Sequence, residues 1–574
     1  MKALESTLGE GFVPGSNLKG AVEGANWCFL LPSLEIGRVV SVGAPSPSAF
    51  TALARRSEEI AVCAPARNLR RLRGVIDGDQ VRNVEWLATD GDGTIPLPNE
   101  SADLVLVAQR PQARRLARGR KMEEEVERLL KPGGVVYVES RSAVDRNRLA
   151  EAQKGPLGRS ERLALFWLAP AWGEMRVAAP LADRRAIAYL ERRFLTNRPL
   201  RRQLLKRPGP VLARYVLTNR LLGRRGALLG GAGSALAEGP PSYLQSIAAS
   251  SGEDIEHLRW GFAAPGNYTS QKVLFFLFEG GGETARSVVK ITRDPRLNSR
   301  LENEWRALTL LRGRGIGIEG TLPSPIFFGY HARLAIVGET AVEGTPFGER
   351  TLATADCPHA YKVVDWLLKL GLATAHRPDG TLDVALRLDE LRDRFSDLYR
   401  LESSHNQFLA DQVAAIRKGQ NDLPLVFQHG DPGPWNVIVT HAGQPAFLDW
   451  EAADPDGLPL WDLFYFLRSF AFSISKRAGR REPIRSFADQ MLADSELNRL
   501  LVETTRRFCA EAALSPSLVE PLFYLCWMHR ALKEATRLPS GRLEGGRYVN
   551  LLRLAIDRRD SPGLRRLFSL SHGS

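Results

Sequence analysis

Cysteine is scarce in this chain, with five in 574 residues: Cys28, Cys63, Cys357, Cys509 and Cys526. They are scattered and form no CxxC pair, which argues against a disulfide framework or a thiolate zinc site and fits a reducing cytoplasm. Long apolar runs are lacking too. No stretch of about 18 apolar residues occurs, so no membrane-spanning helix is expected. The start, MKALESTLGEGFVPG, has no long apolar core after its lysine, so a signal peptide is not expected either. Acidic charge is in deficit, with 65 Asp and Glu against 78 Lys and Arg, a net charge of +13. Most of that excess sits between Tyr189 and Arg225, where eleven Lys and Arg face one acid, Glu191. A basic excess attracts nucleic acid, anionic lipid or acidic partners, and alone it does not choose among them.

What is present is ordinary for a globular protein: 44% hydrophobic and 25% charged residues. The length exceeds what one core normally organises, so two or three domains are expected. In residues 1–185, apolar strands alternate with helical segments. Arg38–Ala44, Glu58–Ala64, Val84–Asp90, Ala102–Gln109 and Val135–Ser140 read as strands, and Lys121–Leu130 reads as a helix. That alternation predicts a doubly wound, Rossmann-like α/β sheet.

Two stretches there, IPLPNESADLVLV and EVERLLKPGGVVYVE, resemble the later motifs of class I S-adenosylmethionine (SAM)-dependent methyltransferases. On that resemblance Asp90 stands where the family contacts adenine, and Gly43 stands in its first loop. The first loop departs from the family. Gly43 is followed by Ala44-Pro45-Ser46-Pro47, and two prolines remove amide donors and fix φ where the cofactor needs close backbone approach. Cys63-Ala64-Pro65 stands where an acid for the ribose is expected. Gly43 and Asp90 are therefore read as remnants of a SAM site, in a domain that keeps the sheet and has lost the cofactor. A SAM-binding domain is the alternative.

Residues 186–250 read as a basic helical segment and a flexible linker, closing with the Gly- and Pro-rich GGAGSALAEGPPS. Within it, residues 189–225 mix leucines with arginines. They suit either an amphipathic element lying on anionic membrane or a solvated linker packing its leucines on a neighbour. Aromatics are too sparse there for a nucleic-acid surface, so nucleic acid is not expected as a partner.

The stretch LVFQHGDPGPWNVIVT followed by PAFLDWE, from Leu425 to Glu451, carries the strongest signal. Two apolar runs would deliver Asp431, Asn436 and Asp449 to one edge. A carboxylate, a carboxamide and a second carboxylate suit phosphoryl transfer. The stretch resembles the catalytic segment of the aminoglycoside phosphotransferase and choline kinase family, relatives of protein kinases. That resemblance implies a bilobal protein-kinase-like fold over residues 251–574, with an N-lobe at about 251–345 and a C-lobe at about 346–574. It makes Asp431 the group that orients the acceptor hydroxyl, Asn436 and Asp449 the magnesium ligands, and His429 a buttress of the loop. Asp462, in GLPLWDLF, is expected in a structural role as an N-terminal helix cap.

Upstream, Lys290 lies in an apolar strand, SVVKITR, where a lysine must snorkel or find an anion, since a buried unpaired ammonium is costly. Glu304, on the helix RLENEWRALTLLRG, is the expected partner that aims Lys290 at ATP phosphates. Glu302 lies about 200° around the helix from Glu304, so only one of the two points inward. Gly266, Asn267, Tyr268 and Thr269 are the candidate phosphate loop. Glu339 to Val342 is the candidate hinge, whose backbone would meet adenine.

The sequence therefore predicts an ATP- and Mg2+-dependent kinase acting on a hydroxyl of a small molecule or glycan, located in the cytoplasm, beside a methyltransferase-like domain. Residues 471–560 hold sixteen Lys and Arg against eleven acids. A neutral or anionic acceptor such as a sugar or glycan precursor is expected in preference to a polycationic aminoglycoside. A bifunctional SAM-dependent methyltransferase–kinase and a non-catalytic nucleotide-binding scaffold are the alternatives.

Overall fold

The computed structural model describes residues 25–74, 83–89, 94–108, 120–140, 163–169, 174–195, 224–230, 236, 239–265, 272–378 and 382–569. The chain forms two compact units. One comprises Asn17–Asn298 with Ile326–Ala341, and the other contains Ser299–Pro325 and Val342–Ser574. Both are mixed α and β.

The first unit is built on a single sheet. Its strands are β1 (Ile36–Val42), β2 (Ser57–Ala64), β3 (Val84–Ala88), β4 (Ala102–Val107), β5 (Leu130–Ser140), β6 (Leu163–Ala169), β7 (Val177–Pro180), β8 (Arg224–Gly230), β9 (Arg259–Ala263), β10 (Val273–Phe278), β11 (Ser287–Ile291), β12 (Pro325–His331) and β13 (Leu334–Thr340). β3, β2, β1, β4 and β5 lie side by side and parallel, with Val40 opposite Ala61 and Val105 opposite Val136. Val39, Val40, Ile60, Ala61, Val62, Leu104 and Val105 are all buried, as strands covered on both faces require. β8 lies antiparallel beside β5, β6 beside β8, and β7 beside β6. This is the Rossmann-like half that the sequence predicts.

The sheet does not stop at β7. Val177 pairs with Ala263 and Ala178 with Phe262, so β9 joins antiparallel and the sheet runs on through β10, β11, β13 and β12. All thirteen strands belong to one sheet. The halves share apolar packing: Phe29 stacks on Phe262, and Trp167, Val177, Leu190, Phe276 and Phe278 lie in one cluster. At the junction Asp183 takes a bidentate bond from Arg259 Nη1, at 2.9 and 3.0 Å, and accepts the amides of Arg185 and Ala186 as cap of helix Arg184–Leu190.

The contact units thus divide the chain elsewhere than at residue 250. Residues 224–230, expected as part of a basic linker, form the internal strand β8 between β5 and β6. Their small residues make this possible, since a Cβ on Gly226 would stand 2.9 Å from Leu168 Cδ1 and 3.4 Å from the Tyr137 ring. Residues 196–223, most of the basic segment, lie outside the described residues.

The second unit is mainly helical. Its helices include α1 (Asn298–Arg314), α2 (Pro358–Thr374), α3 (Trp461–Arg477), α4 (Val519–Ala535) and α5 (Arg547–Asp557). Short strands accompany them: β14 (Thr345–Pro346), β15 (Val426–Gln428), β16 (Val437–Val439), β17 (Pro445–Phe447) and β18 (Asp454–Gly457). Trp366 of α2 stacks on Phe447 of β17 with ring centroids 4.2 Å apart, which ties the helical core to the strand ends. Among the described residues no helix is long and apolar enough to cross a membrane.

The Asp183 carboxylate combines a helix cap with an ion pair at the sheet junction. Asp183→Ala is expected to lower stability by about 1–3 kcal/mol, because a cap alone contributes about 1 kcal/mol and Arg259 loses its partner. A urea midpoint unchanged from wild type would show that this junction is not stabilised as described.

Candidate functional site

β15 pairs with β18, and its last residue, Gln428, leads into the turn His429-Gly430-Asp431. Gly430 has φ of +75°, and a Cβ at this position would overlap the Ala452 carbonyl. Only glycine fits there. Asp462 locks the turn from below: its Oδ2 accepts the His429 amide at 2.6 Å and its Oδ1 accepts the Gly430 amide at 3.1 Å. Burial raises the Asp462 pKa above its ordinary value, against the pull of His429 and the two amides. The sequence suggests a cap role for Asp462. Instead the cap position of α3 is Leu460, without a side-chain bond, and Asp462 faces the preceding loop because α3 starts beneath it.

His429 is fully buried. Its Nδ1 accepts the Asp431 amide at 3.2 Å, so the ring proton sits on Nε2, which donates to Leu448 O at 2.9 Å. The imidazole thus connects the Asp431 turn to the end of β17 and presents no free nitrogen for acid–base work.

Asp431 itself is held by cations. Arg530 Nη2 meets its Oδ1 at 3.0 Å, while Arg530 Nη1 and Lys533 Nζ reach the Gly430 carbonyl at 2.7 and 3.2 Å. Burial pushes the Asp431 pKa up, but Arg530 and Lys533 outweigh it and hold the group below its ordinary value, as a carboxylate. Burial and the neighbouring Arg530 bring the Lys533 ammonium down to about 8.

Asn436 donates through Nδ2 to Asp431 O at 2.9 Å and to Asp431 Oδ2 at 3.4 Å, which turns its carboxamide oxygen to the other side of the group. Val437 pairs with Phe447, and Leu448 N donates to Asn436 O at 2.8 Å. That register brings Asn436 and Asp449 to the same end of the β16–β17 ladder. Asp449 has φ of 69°, a left-handed conformation that Asp tolerates better than most side chains. Among the described residues, no group of three or more His, Cys, Asp or Glu converges on a metal position. An Asn–Asp oxygen pair is nonetheless the donor set magnesium uses when phosphate and water complete its shell.

Glu304, on α1, is fully buried and accepts the Trp450 amide through Oε1 at 2.9 Å, next to Asp449. Glu302 is exposed on the opposite face. Asn303 donates to the carbonyls of Glu451 and Ala453, so α1 grips the segment after Asp449 at several points.

In the first unit, Lys290 of β11 is buried, and its Nζ lies 2.6 Å from Glu339 Oε1. Lys290 faces Val337, so Glu339 is its diagonal neighbour across the ladder. The carboxylate of Glu339 thus has a role at Lys290, whereas the sequence assigns this position a backbone one. Glu339 lies on β13 and Val342 in the loop that follows. Gly266, Asn267, Tyr268, Thr269 and Asp90 lie outside the described residues.

Gly43 follows β1 with φ of +93°, and a Cβ there would stand 2.9 Å from Ala108 O. The helix after it, Pro47–Ala54, has proline at its first position, and its Ala49 amide is taken by the Ser46 hydroxyl. The Ala49 amide at the start of this helix is thus engaged within the chain.

Sequence reasoning missed Arg530, Lys533 and Arg468. The signal was present: cations inside strongly apolar helices, the same argument that singles out Lys290. Arg530 lies 3.4 Å over the Tyr465 ring, and Arg468 of α3 lies 4.9 Å over the Tyr548 ring.

Comparison with known proteins gives a partial match to one family. The model of the phosphotransferase enzyme family (APH) matches residues 269–499, less than half of the chain. None of the curated proteins matches the chain. Among solved structures, an aminoglycoside phosphotransferase of Streptomyces rimosus in complex with ADP and streptomycin is similar at 15% identity, covering 46% of this chain and 90% of its own, with a TM-score of 0.30. The choline kinase LicA of Streptococcus pneumoniae is similar at 17% identity, covering 52% and 92%, with a TM-score of 0.30. A tRNA methyltransferase of Aquifex aeolicus is similar at 17% identity, covering 29% and 64%, with a TM-score of 0.21.

Two stability measurements probe the site. Asp462→Ala leaves two buried amides without acceptors and is expected to cost about 2–5 kcal/mol. Asp462→Asn keeps one acceptor, sheds a charge that burial opposes, and should cost clearly less. Equal losses in urea denaturation would refute the clamp. Folding lowers the Lys533 pKa from 10.5 to about 8. Between those values the unfolded chain binds more protons, so this group makes stability rise with pH across that window and leaves its full penalty below it. Lys533→Met should flatten the slope of stability between those pH values, and an unaltered slope would contradict the assignment.

Proposed function

We propose that the chain is a phosphotransferase that moves the γ-phosphoryl group of ATP, with Mg2+, to a hydroxyl of a small molecule or glycan. The observation that carries this reading is the Asp431 turn. An ionised carboxylate is held by Arg530 on a loop fixed by Asp462 and His429, with Asn436 and Asp449 at the adjacent strand ends. The family match over residues 269–499 supports it.

In this reading Asp431 accepts the hydrogen bond of the acceptor hydroxyl and orients its oxygen. A loose phosphoryl-transfer transition state asks more for positioning than for a strong base, which suits a carboxylate kept ionised. Asn436 Oδ1 and Asp449 would hold Mg2+, which neutralises phosphate charge when bound. Lys290, braced by Glu339, would meet the α/β-phosphates, with Glu304 as a further acidic partner and Gly266–Thr269 as the covering loop. Glu339–Val342 would offer backbone groups to adenine. His429 and Asp462 serve the loop and touch no substrate. The functional division stays at about residue 250 even though the sheet crosses it: a nucleotide lobe at about 251–345 and an acceptor lobe at about 346–574. The first 185 residues act as a Rossmann-like domain without SAM.

Asp431→Asn keeps the shape and removes the charge. It is expected to lower acceptor-dependent ADP formation by at least about 100-fold, a typical loss for a positioned proton acceptor. ATP turnover that is unaffected by this change, across sugar, amino-alcohol and glycan acceptors, would sink the proposal.

A further inference from the structure

Two cations, Arg530 and Lys533, stand at the Asp431 turn, and a third, Arg468, shares the Tyr548 ring with Arg530, at 4.9 and 5.8 Å, without an anion of its own among the described residues. Arg468 is 2% exposed, and its Nε and Nη2 are buried without any hydrogen-bond partner among the described residues. These two nitrogens form the side-on edge of the guanidinium, the fork that takes both oxygens of a carboxylate or phosphate. Leaving that fork unpaired is costly. Tyr548 covers the guanidinium face at 4.9 Å, and a ring face does not replace in-plane acceptors.

The neighbouring acids are already engaged. Asp431 pairs with Arg530, Asp462 takes the His429 and Gly430 amides, Asp454 pairs with Arg387, and Glu534 accepts the Tyr548 amide. Arg530 in turn has its Nε buried and unpartnered. Burial chiefly, then Arg547 and Arg530, lower the Arg468 pKa against the opposing pull of Tyr548 and Tyr465, as expected where cations face one another. Beside them Trp435, four residues after Asp431, is 60% exposed and stands edge-on to Tyr465 at 6.2 Å. An exposed indole offers its face to the carbon side of a ring-shaped acceptor.

We infer that the acceptor carries an anionic group, a phosphate or a carboxylate, which pairs with Arg468 while its hydroxyl lies at Asp431. This rests on the phosphotransferase reading above and sharpens it. The acceptor class is an acidic ring polyol, such as a sugar phosphate or sugar acid. A polycationic acceptor would bring charge of the wrong sign to Arg468, Arg530 and Lys533 at once.

The test uses the full chain with ATP and magnesium and four acceptors: a neutral hexose, the same hexose bearing a phosphate, the corresponding hexuronate, and an aminoglycoside. At least one anionic acceptor should exceed the neutral hexose in kcat/KM by about tenfold or more, the scale of one charge-assisted bond. Comparing the phosphate and carboxylate arms identifies which anion is preferred. Arg468→Gln should erase that advantage by raising the KM of the anionic acceptor, and Arg468→Lys should restore part of it. Preference for the neutral or cationic acceptor, no transfer to either anionic one, or equal losses for all acceptors in Arg468→Gln would overturn the inference. Equal losses would mark Arg468 as a packing element on Tyr548. If Arg468→Gln fails to fold by circular dichroism, the wild-type preference alone decides. ADP formation that is indifferent to Asp431→Asn would instead overturn the phosphotransferase reading itself.

Discussion

One half-buried carboxylate holds the candidate site in shape. Asp462 sits under the turn that carries Asp431 and binds two consecutive amides, His429 and Gly430. Two adjacent N–H groups can point at one carboxylate only if the chain between them turns sharply, which the positive φ of Gly430 permits. The turn in turn leaves the Gly430 carbonyl facing Arg530 and Lys533, and it seats the Asp431 amide on His429. Without Asp462 the loop would lose the anchor that sets the direction of Asp431, however well its cationic neighbours were placed.

Much of this was legible in the residues. The HGD, Asn436 and Asp449 spacing survives folding as adjacent strand ends because a tight antiparallel pair, β16–β17, conserves distance along the chain. The apolar runs of β1, β2, β4 and β5 announced themselves because strands buried on both faces have no alternation to hide in. The β7–β9 pairing was invisible. It joins residues far apart in sequence through backbone bonds, which leave no mark on side-chain pattern. β8 was hidden by arginines beside GALLG. Glu339 was missed as the partner of Lys290 because a diagonal cross-strand neighbour depends on register, which spacing does not supply.

The cations of the second unit show the difference between a charge count and a charge location. The surplus over residues 471–560 gives the right sign, yet several of its members are exposed and paired, as Arg499 is with Asp494 and Arg507 with Glu511. Arg468 lies just outside that window. The residues that matter are those embedded in apolar helices: Arg468 among the phenylalanines of α3, and Arg530 and Lys533 one turn apart on α4. A charge placed where burial opposes it needs a reason, and at this position the reason is either Asp431 or something that binds beside it.

The junction between β7 and β9 bears on what the parallel part of the sheet does for the strands beside it. A sheet edge is a row of unpaired N–H and C=O groups that invites the wrong partner. Here β7 and β9 conceal each other's edges, and Asp183 pins Arg259 across the seam. Removing the N-terminal half would strip β9 bare and leave Trp260, Phe262 and Phe275 without part of their cover. The N-terminal half thus serves its neighbour as a selvedge, the woven border that keeps the adjoining fabric from unravelling.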